Sequence, residues 1–426
     1  MNIQLKNILA ILNDEKRYET KETDIFIKDG IIDGIGDIDS DFKADKVIDG
    51  TDKLVIPGLI NCHTHTYMSV FRNIADDLAF DDWLFKNIMP REDMLTDEDA
   101  YWGAMLACVE MIKTGTTCFL DMHMFKNQTA KAAVNSGMRA VISRGLSGDN
   151  RNEEGSIRRI NEAIEEMEQW KNNDKLSFMF APHAIYTCGT DYINQTIEKA
   201  KEYNVSLHTH LSETKYEVSE AKKKYNMTPV QYLDSLGFFD VNTVAAHCVH
   251  LEDCDFEILR DKKVNVALNP MSNMKLGNGF APVQKMLDNG INICMGTDSA
   301  ASNNSLNLFS DMNHTALIHK GTAENAQSVT AFDVYKAATM NGAKALNINS
   351  GKIEVGKNAD LAILDLNCPQ MRPKNNVMSS LSYSANGSEV DTVIIGGDIV
   401  MENKKLLNID ENEVYSKVEE IAERIK

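Results

Sequence analysis

His63 and His65 stand one residue apart at the end of an apolar, β-like run, LVIPGLINCHTHT (Leu54 to Thr66). Alternate residues of a strand point to the same side, so imidazoles at i and i+2 can converge on one metal ion. Other residues with ligand or proton-transfer chemistry fall in the same kind of place, at or just past apolar runs. These are His183 in APHAIYTC, His210 and Glu213 in LHTHLSET, His247 in AAHCVHL and Asp298 in MGTDSA. Three neutral imidazoles and a carboxylate suit one divalent ion per chain, best zinc, and leave room for a water whose pKa the ion lowers toward about 7. Iron(II) tolerates the same donors.

His208 and His210 both face inward on a regular strand, and only one need be a ligand. His210 lies nearer the open end, with Glu213 three residues on, so His210 is expected at the metal and His208 as a hydrogen-bonded interior residue. Glu213, just past the strand, is placed to shuttle the proton of an activated water; the plain alternative is an exposed helix-capping acid. His247 ends its apolar run, whereas His250 is expected to pack in the loop. His123, His314 and His319 read as structural or surface residues.

Residues placed this way need elements that end at a common rim. From Leu54 onward β-rich runs recur: 54–62, 116–122, 139–146, 176–183, 205–211, 243–250, 264–270 and 291–298. Amphipathic helical patterns separate them, such as DEDAYWGAMLACVEMIKTG, ending at Gly115, and EEGSIRRINEAIEEMEQWK. Eight β-runs each followed by a helix, over about the ~250 residues usual for the fold, predict an α/β protein with a (β/α)8 TIM barrel, whose sites lie at the C-terminal ends of the strands. The rival open, doubly wound sheet lacks a GxGxxG at a strand-to-helix turn. Both ends of the chain read differently, with turn signals such as Asp29-Gly30, Asp33-Gly34 and Asp49-Gly50, and hairpin-like runs between 351 and 402. We expect residues 1–56 and 351–426 to build one small β-sandwich domain with a C-terminal helix, beside a catalytic barrel of 57–350.

Composition sets the outer limits. The chain has 426 residues, 43% hydrophobic and 25% charged, with a formal net charge of -19. That acidity disfavours a phosphate backbone as partner and leaves a small molecule as the expected ligand, with no nucleic acid and no membrane. Eight cysteines are scattered without CxxC pairs and read as buried thiols in a reducing cytoplasm. The apolar stretch near the start is too short for a signal peptide, and no run approaches the ~18 residues of a membrane helix.

PGLINCHTHT, APHAIYTCG, LHTHLSET, AAHCVHL, NPMSNMKLGNG and MGTDSAASNNSLNLFSDM together resemble the amidohydrolase superfamily, in its branch of 5-methylthioadenosine/S-adenosylhomocysteine deaminases. The likeness runs from about residue 3 to 405. It implies a mononuclear site with His63, His65, His210 and Asp298 as ligands. The carboxylated lysine of binuclear members has no counterpart, since the fourth run ends at His183. It also implies attack of an activated water on C6 of an adenine ring, Glu213 carrying the proton to N1 and His247 and Asp298 assisting. For substrate grip it implies Glu92 on the ribose hydroxyls, His183 on the purine, Trp83 as an apolar wall, and Arg144 with Arg158 (or its neighbours Arg151 and Arg159) on a carboxylate tail. For these helix arginines a solvated face is the competing reading. Ala181 and Ile185 depart from the usual GPHAPYTC and bear on the pocket wall. The expected substrate is a purine nucleoside with a 5-thioether, or adenosine, handled by a homo-oligomer. Guanine or cytosine deamination and triazine chlorohydrolysis are the neighbouring alternatives, and an inactive barrel scaffold the alternative of another class.

Overall fold

The computed structural model describes residues 1–37 and 42–426. The apolar runs become eight parallel strands, hydrogen-bonded in sequence order: Leu59–Thr64, Thr116–His123, Arg139–Leu146, Leu176–Pro182, Ser206–Leu211, Thr243–His247, Asn265–Leu268 and Asn292–Met295. Nearly all their residues are buried on both faces, as parallel strands must be when helices cover the outside and side chains fill the middle. The ring closes where Thr64 bridges to Asp298 and the Asp298 amide donates to the His63 carbonyl at 2.9 Å. The barrel expectation is borne out, and its seam joins two of the expected metal ligands.

Helix boundaries follow local chemistry. Asp97–Lys113 starts on a reciprocal cap, Thr96 and Asp99 each taking the other's amide, and its chain reverses at Gly115 with φ +79°. Glu154–Trp170 and the terminal Glu411–Arg424 appear where their patterns predict.

The run 54–62 proves to be two strands in two sheets. Lys53–Pro57 pairs with Ile3–Asn13 and Leu361–Asp365, while Leu59–Thr64 opens the barrel. Gly58 makes the crossing possible, since a Cβ there would lie 2.1 Å from the Thr117 side chain. Both chain ends thus share one nine-stranded sheet, with Leu361–Asp365 between Lys53–Pro57 and Val390–Ile395. Ile3–Asn13 forks it, pairing with Lys46–Asp49 along its first half and Lys53–Pro57 along its second. Leu5, Ile25, Val55, Ile363 and Ile394 pack in its interior. Arg139 ties this sheet to the barrel through Asp360, with Nε and Oδ2 2.8 Å apart. One expectation fails: Cys254 is exposed and Cys368 only half-buried, because Cys254 lies in the first turn of a surface helix, Asp253–Asp261. No helix among the described residues is long and apolar enough to cross a membrane.

Candidate active site

Each expected metal ligand is held by a second bond that fixes which nitrogen it presents. His65 Nδ1 lies 2.7 Å from the Met122 carbonyl and His210 Nδ1 2.8 Å from the His183 carbonyl. A carbonyl only accepts, so both rings carry their proton on Nδ1 and turn a bare Nε2 inward. His63 is set by a relay. His208 Nδ1 donates to the Val244 carbonyl at 2.9 Å, which leaves His208 Nε2 to accept from His63 Nδ1, also at 2.9 Å. His63 Nε2 is then buried with no protein partner. His208 is the hydrogen-bonded interior residue its position predicts, and it orients the neighbouring His63 ring.

The bare nitrogens converge. His63 Nε2 and His65 Nε2 stand 3.5 and 3.4 Å from Asp298 Oδ1, and His65 Nε2 and His210 Nε2 are 3.3 Å apart. Ser272 and Ser302 hydroxyls donate to Asp298 Oδ2 at 2.6 and 3.0 Å, which leaves Oδ1 facing the imidazoles. Burial pushes the His63 imidazolium down to about 4, so the ring is a neutral donor. Burial alone would raise the Asp298 carboxyl, but it lies well below its ordinary value, the two hydroxyls that donate to Oδ2 favour the ionised form, and it is a carboxylate. An orphaned inward nitrogen, two more bare nitrogens and an ionised oxygen, each braced from behind, fit a single divalent ion. No lysine lines the cavity among the described residues.

His247 faces the same point. Its Nδ1 is 2.9 Å from Asn273 Oδ1, and its Nε2 is buried without a partner, 3.8 Å from Glu213 Oε2. Its backbone takes φ +75° and that of Asp298 φ +60°, conformations that non-glycine residues hold only when the surroundings impose them. Burial disfavours the imidazolium, but the facing Glu213 and Asp298 outweigh it and raise His247 above its ordinary value.

Glu213 is not an exposed cap. It is 5% exposed, and burial raises its carboxyl above the ordinary range. Thr214 caps the following helix, Lys215–Tyr225, and Glu217 in the first turn of that helix reaches back. Glu217 Oε1 and Oε2 accept from the amides of Ser212 and Glu213 at 3.0 and 2.8 Å, pinning the backbone where Ser212 turns through φ +51°. Asn278 Nδ2 donates to Glu213 Oε1 at 2.9 Å.

These groups floor a cavity of about 930 Å³ including its open mouth. Its outer wall is apolar: Phe80, Trp83, Leu84, Phe85, Ile88 and Met89, on a π-helical turn Asp82–Ile88 and the residues around it. Trp83 is one of these lining residues. Glu92 also lines the cavity and accepts from the Tyr67 hydroxyl, while His183 lines it beside His210, ring centroids 4.5 Å apart. Burial pushes His183 down to about 3, a neutral ring.

Arginines are not brought to the cavity. Arg144 is buried behind it, with Nη2 3.0 Å from Glu162, and Arg158 meets the same Glu162 at 2.9 Å from the exposed face of the helix. Arg151 pairs with Asp191 and Glu198 at the surface, and Arg159 donates to the Ser147 carbonyl. Sequence reasoning assigned no role to Ser272, Asn273, Asn278 or Ser302, although their segments carried the resemblance. Glu217 gave no signal beyond its spacing from Thr214.

The Amidohydrolase family model matches residues 54–400, and the chain belongs to that family of metal-dependent hydrolases. It is 46% identical over 433 residues to a 5-methylthioadenosine/S-adenosylhomocysteine deaminase of Caldanaerobacter subterraneus subsp. tengcongensis, covering 100% of this chain and 99% of that protein. A 5'-deoxyadenosine deaminase of Methanocaldococcus jannaschii is 44% identical over 410 residues, 95% of this chain and 97% of that protein. The solved structure of a zinc-bound adenosine deaminase from Xanthomonas campestris matches with a TM-score of 0.94 at 29% identity, covering 99% and 98% of the two chains.

Proposed function

We propose that this chain is a zinc enzyme that hydrolytically deaminates adenine nucleosides bearing an apolar 5' substituent, giving the inosine analogue and ammonia. One observation carries the reading: a buried carboxylate, Glu213, shares a cavity floor with converging imidazoles and Asp298, beneath an apolar wall. Its relatives act, by name, on 5-methylthioadenosine, S-adenosylhomocysteine and 5'-deoxyadenosine.

His63, His65, His210 and Asp298 would hold the ion, which when bound acts as a Lewis acid on the attacking water. Glu213 takes one proton from that water as oxygen attacks C6, and delivers it to N1, so the ring never carries a full negative charge. The second water proton passes from the C6 hydroxyl to the amino group, which departs as ammonia and leaves the C6 carbonyl. Because burial raises its carboxyl, Glu213 can hold the proton between the two transfers. His247 faces the attacking oxygen from the side opposite Asn273 and orients it. Glu92, beside the apolar wall, accepts from ribose hydroxyls, and His183 contacts the purine.

With Arg144, Arg151, Arg158 and Arg159 all engaged outside the cavity, the 5' end of the substrate meets Phe80, Trp83 and their apolar neighbours. That wall suits a methylthio or deoxy group. The test is ammonia release from a panel of adenosine, 5'-deoxyadenosine, 5-methylthioadenosine, S-adenosylhomocysteine, guanine and cytosine with zinc-loaded protein. Turnover of the adenine nucleosides is expected, and turnover confined to guanine or cytosine would overturn the reading.

A further inference from the structure

Asn278 touches the cavity floor only through Glu213. It is 9% exposed and is not among the residues lining the cavity. Its own position is fixed three ways: its amide donates to the Asn273 carbonyl at 2.8 Å, its carbonyl accepts from His250 Nε2 at 2.8 Å, and glycines at φ +68° and +110° flank it. From that braced loop Nδ2 donates to Glu213 Oε1. The other oxygen, Oε2, faces His247.

We infer that Asn278 is a positioning residue that reserves Glu213 Oε2 for proton transfer. This rests on the deaminase reading above. An oxygen that accepts an amide N–H is a poor place for a proton, and the bond fixes the carboxylate plane. The proton leaving water therefore goes to Oε2, and from the same oxygen to N1. Without the donor, Glu213 can rotate and can hold its proton on the oxygen turned away from the ring. His250 then has a role too, as the brace of the Asn278 carbonyl.

The role separates from a merely structural one by the pH dependence of the conservative variant. Both transfers through Oε2 precede departure of the leaving group, so a 6-amino and a 6-chloro substrate need them alike. Asn278→Ala, with 5'-deoxyadenosine, should lose roughly 10-fold to 100-fold in kcat, less than the roughly 100-fold to 10,000-fold that losing the acid/base itself costs. Its metal content and KM should stay near wild type. On the 6-chloropurine counterpart the loss should be of similar size. Asn278→Asp keeps the shape but accepts where Asn donates. It should be as impaired at neutral pH and recover as pH falls, when the introduced carboxyl is protonated and donates to Oε1, whereas the alanine variant should not recover. A loss confined to the amino substrate, loss of metal, an alanine variant that recovers as pH falls, or near-normal kcat in both variants would each overturn the inference. A wild-type enzyme that releases neither ammonia nor chloride would instead remove the deaminase reading, and this inference with it.

Discussion

In the proposed mechanism Glu213 both takes and gives a proton, and its surroundings suit each half of that task. Burial keeps a proton within reach, while Asn278 and Glu217 fix the carboxylate and its backbone. Glu213→Gln should leave the metal bound and cut turnover by roughly 100-fold to 10,000-fold. A parallel fall in metal content, measured on the same preparation, would make Glu213 a ligand instead. Glu217 carries a pH signature. Burial pushes its carboxyl from 4.5 up to about 7, against the pull of the two amides it accepts. The fold thus favours the protonated form, so stability from this group is fully present below 4.5 and is lost as pH rises through about 7. Denaturant midpoints of Glu217→Gln should therefore fall less than those of wild type between about pH 5 and pH 8. An unchanged slope would show that Glu217 does not titrate in this window.

Strands explain why spacing pointed to the proposed ligands. His63 and His65, like His208 and His210, are i, i+2 pairs on single barrel strands, and the period of a strand is in the sequence. What braces them is not. The His63–His208 bond spans 145 residues and the Asn278–Glu213 bond 65, so both appear only once the strands are side by side. The arginines show the converse. Arg144 and Arg158 carry charges suited to a carboxylate tail, but Glu162, one turn along the helix from Arg158, engages both. The run 54–62 hid a strand break because Pro57-Gly58 interrupts pairing, not hydropathy. From the relay, His208→Phe should weaken metal affinity by about 10-fold to 100-fold, as loss of an outer partner usually does, with kcat of the metal-saturated enzyme much less affected. Competition with a chelator measures it, and unchanged affinity would confine His208 to packing. From the wall, kcat/KM for 5'-deoxyadenosine and 5-methylthioadenosine should exceed that for S-adenosylhomocysteine by about tenfold or more, the equivalent of about 1.4 kcal/mol. Equal values would mean that the tail finds a cation in the complex.

At the scale of the whole molecule, the barrel and the sheet built from both chain ends meet across a buried ion pair. Asp360 accepts from Arg139, from the Ser350 hydroxyl and from the Gly396 amide at 2.7 Å, so it joins a barrel strand to three parts of the C-terminal segment. Arg139→Met leaves that carboxylate buried and should cost about 3 to 5 kcal/mol of stability by denaturant unfolding, with metal content and kcat of the folded fraction unchanged. A loss of activity without a loss of stability would place Arg139 in the catalytic path. Alternation of strand and helix made the barrel legible, and the hairpin style of both ends made their partnership so. The forked pairing of Ile3–Asn13 was not legible, since it depends on which strands arrive beside it. The central claim is that one metal ion, held by His63, His65, His210 and Asp298, serves Glu213 in removing the 6-amino group of an adenine nucleoside. Titrating zinc into chelator-stripped protein while following ammonia release from 5'-deoxyadenosine tests it most directly. Activity should rise linearly and stop at one equivalent per chain; a plateau at two equivalents, or no ammonia from fully loaded protein, would contradict it.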